Sequence, residues 1–152
     1  MRDERDILAE YLNIDKDRIE MVDDCLYEID NQYQFIVADD EMANELVANS
    51  IKDSLWAFNT DFICDHCEKL RGANDKVIKS IERMQSELCE DANEIVAALI
   101  DDIDEFVEDA IEWDGRGHFL NTYDGNEYEY EDFYIYNLDC DIDLLKETEA
   151  ER

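Results

Sequence analysis

The chain of 152 residues has no proline and four glycines, three of which, Gly115, Gly117 and Gly125, lie close together. Without proline, helices meet few enforced breaks, and the irregular backbone collects where the glycines are. Cations are scarce: 13 Lys and Arg stand against 44 Asp and Glu, a formal charge of −31. This excludes direct binding to a phosphate backbone as the main activity, which needs Lys and Arg. No apolar run approaches the ~18 residues of a membrane span, so no membrane partner is expected. The opening "MRDERDILAE" has no apolar signal core, and a cytoplasmic protein is expected. Five cysteines, odd in number and irregularly spaced, suit reduced thiols better than a disulfide framework.

What is present is a folded composition, 45% hydrophobic, in one length of chain suited to a single domain over residues 1–152. The charge is uneven. Residues 1–50 carry 15 acids and 4 bases, residues 51–100 carry 10 and 6, and residues 101–152 carry 19 and 3. The middle therefore reads as a packing scaffold and the last third as a charged surface.

Ile7, Leu8, Tyr11 and Leu12 recur at helical spacing and predict a helix over 3–13. "LYEI" and "YQFIVA" alternate like strands around the turn "DNQ". Asp39 or Asp40 suits the cap of a following helix, predicted over 41–66 with Val47, Ile51, Leu55, Phe58 and Phe62 on one face. Gly72 breaks the chain. Val77, Ile81, Met84 and Leu88 predict an inward face for a helix over 74–89. A last long helix is predicted from near Asp91 to "WDGRG", and "HFLNTY" and "FYIYNL" read as short strands around "DGNEYEYED". "LLKETEAER" reads as helical or frayed. The class is α+β, helix-dominated, with one or two small β hairpins.

The densest feature is "DDIDEFVEDAIEWD", eight carboxylates in fourteen residues with no cation. On one helix, Asp101, Asp104, Glu105, Glu108 and Glu112 stand three or four apart, with Asp102 and Asp109 beside them, roughly 5–6 Å between neighbours. Such a ridge, about 16 Å long, approximates the phosphate spacing of a nucleic-acid strand. In "NEYEYEDFYIY", a strand would set Glu127, Glu129 and Glu131 on one face and Tyr128 and Tyr130 on the other. These twelve residues are the candidate partner-binding set.

Other clusters lead nowhere. "CDHC" at Cys64–Cys67 has no second ligand pair for structural zinc. "DCDID" and "DGNEYE" lack the glycine and glutamate spacing of an EF-hand loop. Neither His66 nor His118 has a nucleophile at a motif spacing, and no glycine-rich phosphate loop is present. No catalytic residue, metal ligand or cofactor is assigned, and no enzyme is expected. Arg116, the lone cation between Asp101 and Leu145, reads as an internal clamp on the ridge, with Gly115 and Gly117 turning the backbone at positive φ.

"DGRGHFLNTYDGNE" (114–127), "IKDSLWAFNTDFI" (51–63) and "CEDANEIVAALIDDIDEFVEDAI" (89–111) resemble segments of small acidic proteins encoded by phages and other bacterial mobile elements. That family implies no activity and no site residue. Very acidic small phage proteins, as a group, are similar to inhibitors that mimic nucleic acid and block restriction, CRISPR or repair enzymes. The expectation is a non-enzymatic decoy whose partner is a basic nucleic-acid-binding protein. The alternative is an interaction module with a merely solubilising acidic coat, which leaves a homodimer open.

Overall fold

Asp3 starts the first helix by exchanging bonds with Asp6. In the computed structural model, which describes residues 3–143 and Leu145, the Asp6 N–H donates to Asp3 Oδ1 at 2.9 Å. The Asp3 N–H donates to Asp6 Oδ2 at 3.2 Å, closing a capping box. Helix α1 (Glu4–Leu12) ends at left-handed Asn13 and buries Ile7, Leu8 and Leu12.

These side chains cover an antiparallel sheet. Its strands are β1 (Ile19–Asp23), β2 (Leu26–Ile29), β3 (Tyr33–Ala38), β4 (Tyr128–Tyr130) and β5 (Phe133–Asn137), in the order β1-β2-β3-β5-β4. The sheet face under α1 supplies Tyr27, Ile29, Phe35, Val37 and Ile135 to one core. β2 and β3 turn through Asp30 and Asn31, and β4 and β5 turn through Glu131 and Asp132, all four at positive φ. Two left-handed residues in a row match the strand twist that a tight hairpin needs.

The helix-dominated α+β class is thus the observed one, but the β residues form one five-stranded sheet. "FYIYN" pairs with Tyr128–Tyr130 on one side and with β3 on the other. "HFLNTY" is not its partner strand, because residues 116–120 are helical. β1 gave no sequence signal. Only Ile19 of its five side chains is buried, so the alternation that marks a strand is missing.

The chain divides into two compact units, Met1–Val47 with Asp114–Arg152, and Ala48–Trp113. The sheet lies in the first. Helix α2 (Asp40–Asp53) begins there, with the Met42 N–H donating to Asp39 Oδ1 at 2.8 Å as the start of a capped turn.

The second unit is helical. The helix predicted over 41–66 is interrupted: α2 stops at Asp53, a 3₁₀ turn covers Leu55–Ala57, and α3 (Thr60–Asp65) starts afresh. Asn59 caps α3 by accepting the Asp61 N–H at 2.8 Å. Polar residues that compete for backbone groups break the apolar repeat there. Helix α4 (Asp75–Leu88) is capped by Asn74. Its stripe does not face inward as predicted, since Val77 and Leu88 are exposed, Ile81 and Met84 are half-buried and Gln85 is its buried residue. The Gln85 amide donates to the Trp56 and Phe58 carbonyls at 2.8 and 2.7 Å and accepts the Thr60 hydroxyl at 2.6 Å. The packing of α4 is set by this polar tie.

The last long helix is also two. Helix α5 (Asn93–Leu99) ends at extended Ile100, and α6 (Ile103–Asp114) starts after Asp102. Helix α7 (Arg116–Leu120) follows at Gly115, φ 81. No helix among the described residues is long and apolar enough to cross a membrane. Apart from Leu145, the expectation for "LLKETEAER" lies outside the described residues.

Candidate functional site: the acidic face of α6

α6 forms because Asp102 caps it. Its Oδ1 accepts the Asp104 and Glu105 N–H groups at 3.1 and 3.2 Å. Asp101 is used differently: its Oδ2 accepts the Glu68 N–H at 2.7 Å, and its own N–H donates to the His66 carbonyl at 3.0 Å. These two carboxylates, predicted as part of a binding ridge, hold backbone instead. The ridge that remains is Asp104, Glu105, Glu108, Asp109 and Glu112.

Phe106, Val107 and Ala110 are the buried side of α6. On its outer side, Asp104, Glu108 and Glu112 are exposed and stand four apart in one row about 12 Å long. Among the described residues, the carboxylates of Asp104, Glu105, Glu108 and Glu112 have no ion pair and no hydrogen bond. Asp109 alone is paired, its Oδ2 lying 3.1 Å from His66 Nε2. Like charges at this spacing repel by a few tenths of a kcal/mol per pair.

Beside the row lies a shallow cavity of about 330 Å³ lined by Phe62, Asp65, His66, Arg71, Glu105, Asp109 and Trp113. Its aromatic wall is fixed from below. Phe106 is fully buried, with its ring centroid 4.8 Å from Phe62 and 5.1 Å from His66. Trp113, by contrast, is 80% exposed.

"CDHC" is dispersed by the fold. Cys64 and Cys67 are buried packing residues, while His66 turns to Asp109. Burial, then the neighbouring Asp61 and Asp65, pushes the Cys64 thiol pKa up, away from the thiolate a metal needs.

The second predicted segment belongs to the other unit and is built for packing. Tyr128 and Tyr130 meet Tyr11 of α1, with ring centroids 6.2 and 6.0 Å apart. Glu127, predicted to face a partner, is turned onto Arg116 instead. Glu129 is exposed, and Glu131 sits in the hairpin turn.

Arg116 does not clamp the ridge as predicted. Its Nε donates to Glu127 Oε1 at 2.7 Å, and its Nη1 donates to Asp40 Oδ1 at 2.9 Å and Asn44 Oδ1 at 3.1 Å. Its Cζ lies 4.5 Å from the centre of the Tyr134 ring. The buried Tyr136 hydroxyl also donates to Glu127. Burial would lower the Arg116 pKa, but the Glu127 hydrogen bond and further contacts outweigh it and the pKa is raised. The guanidinium stays charged and knits α2, α7 and the β4 approach together.

Gly117 is needed for closeness and not for a positive φ. A Cβ there would lie 2.5 Å from the Asn126 carbonyl carbon and 2.7 Å from the Gly125 oxygen.

Two buried asparagines carry no distinguishing signal in the sequence. Asn121 Oδ1 accepts the Tyr123 and Asp124 N–H groups, and Asn137 Oδ1 accepts those of Asp139 and Cys140. Each fixes a loop from inside. The α6 start, in contrast, was signalled by Asp102-x-x-Glu105, the spacing of a capped first turn.

Compared with known proteins, the chain matches no family model, no curated protein and no solved structure.

Proposed function

We propose that the protein is a non-enzymatic decoy that occupies the basic groove of a nucleic-acid-binding protein, in the manner of phage anti-defence inhibitors. The observation that carries this reading is the row Asp104, Glu108 and Glu112 with Glu105 beside it, exposed and without an ion pair among the described residues. A fold held together elsewhere by paired carboxylates keeps this set open, at a cost in repulsion. Steering by the −31 charge speeds encounter with a basic groove, most strongly at low salt.

The test is capture from bacterial lysate, followed by competition with duplex DNA across a salt series. The variant D104N/E105Q/E108Q/E112Q leaves the Asp101 and Asp102 caps intact. A partner displaced by DNA and lost with this variant supports the decoy. A partner retained by the variant at unchanged affinity, or indifferent to DNA, overturns it.

A second reading, a self-associating interaction module, is favoured by α4. Val77 and Leu88 remain 37% and 41% exposed on its apolar stripe. Light scattering decides: an oligomer insensitive to salt, broken by V77S/L88S, supports this reading over the first.

A further inference from the structure

We infer that the cavity between Phe62, His66, Trp113, Glu105 and Asp109 receives an arginine side chain of the basic partner. This rests on the decoy reading and narrows it, from a charged face to one anchor point.

The walls select for a flat cation. A volume of about 330 Å³ lies at the small end of ligand pockets, roughly 300–1,000 Å³, which suits one long side chain. Phe62 is held against buried Phe106, so its ring is a rigid surface. Trp113 leaves a large apolar ring in water, and exposed tryptophans of this kind are enriched among interface anchors. A guanidinium stacks on such faces while its N–H fork meets carboxylates, which an ammonium does less well.

The charges agree. Three acidic residues, Asp65, Glu105 and Asp109, line the cavity, and the Asp109 carboxylate lies against His66. Arg71 is the opposing cation at the rim, with its Nε spent on the Asp65 carbonyl at 3.0 Å. The lining therefore holds three acids against one arginine. The Arg116 site shows the same receptor chemistry satisfied within the chain: a guanidinium over Tyr134, between Glu127 and Asp40.

The probe is acetyl-arginine amide, added to the full chain carrying W56F so that Trp113 is the one indole. Saturable change in Trp113 fluorescence is expected. Acetyl-citrulline amide, which has the shape without the charge, should bind at least about tenfold more weakly, and the lysine amide should also bind more weakly. Glu105→Gln, at an exposed position that leaves the core untouched, should weaken arginine binding about threefold to tenfold. Arg71→Ala should strengthen it. Equal binding of citrulline, or no saturable arginine signal in a variant of native circular dichroism, overturns the inference. If DNA-competed capture survives that result, the decoy stands and the anchor falls. Arginine binding without any DNA-competed partner supports the anchor and removes the decoy.

Discussion

In the sheet-bearing unit, Glu127, Asp40, Asp30 and Glu4 grip side-chain partners; on α6, the row Asp104, Glu108 and Glu112 with Glu105 beside it faces water. Glu127 and Asp40 hold Arg116, Asp30 grips buried Arg18 at 2.5 and 3.0 Å, and Glu4 accepts the Tyr27 hydroxyl at 2.7 Å. On α6, Asp104, Glu105, Glu108 and Glu112 find no partner among the described residues. The helical unit carries 17 acids and 6 bases, and five of those bases lie between Lys69 and Arg83. The same residue type is therefore mortar at these sites of the sheet-bearing unit and open surface along the outer side of α6. What differs is whether a cation or hydroxyl was brought within reach by folding.

The largest way to break this contrast is alkali. Burial, the leading cause in each case, raises the pKa of Cys25 to about 11 and of Cys140 to about 12. It also raises Tyr27 and Tyr136, helped by Glu4 and Glu127. All four lie in the sheet-bearing unit. Each folded pKa is above the unfolded one, so the stability contributed is complete below about pH 9 and is lost as pH rises through the folded values. Hydrogen exchange at pH 9 to 11 should show the sheet amides losing protection ahead of those of α3–α6. Equal loss in both units would erase the distinction.

Removing the central cation comes next. Arg116→Met should cost about 2–4 kcal/mol in urea denaturation, because it strands Glu127 beside the buried Tyr136 ring. Arg83→Ala removes the Arg83–Glu87 pair, whose arginine side chain is 79% exposed. It should cost less than about 0.5 kcal/mol. A similar cost for both would show that burial does not set the worth of these pairs.

In the helical unit, the counterpart of Arg116 is uncharged. Gln85→Leu should cost about 2 kcal/mol, since it leaves the Thr60 hydroxyl and two carbonyls unpaired. The smallest effect belongs to the open row. Glu108→Gln with Glu112→Gln should raise stability by roughly 0.5–1 kcal/mol at low salt, by relieving repulsion and charge near the C-terminal end of α6. The gain should shrink as salt screens it. A loss of stability instead would mean that these carboxylates have structural work after all.

Legibility differed by element for physical reasons. α1, β2 and β3 were readable because each has one face wholly buried in the same core, so the apolar period survives in the sequence. The helices predicted over 41–66 and from near Asp91 to "WDGRG" are each broken, because the apolar repeat continues through Leu55 and Ile100 while the helical backbone does not. Those breaks depend on Asn59 and Asp102 winning backbone N–H groups. The α4 stripe departs from its predicted inward face for the converse reason: periodicity shows amphipathicity, not whether a neighbour covers the face. Of the candidate surface, Asp104, Glu105, Glu108 and Glu112 were legible as exposed acids. The cavity with Phe62, His66 and Trp113 was not, since its walls come from segments about fifty residues apart.

By itself, the sequence determined the composition, the excess negative charge, the α+β class and the identity of the acid-rich helix. These follow from residue type and local period, which need no partner to be expressed. Tertiary structure alone decided which acids stay open. Asp101 was drawn to the distant Glu68 N–H, Glu127 to Arg116, and Asp109 to His66. A carboxylate is spent only when folding brings a donor within about 3 Å, and that distance is a property of the packed chain.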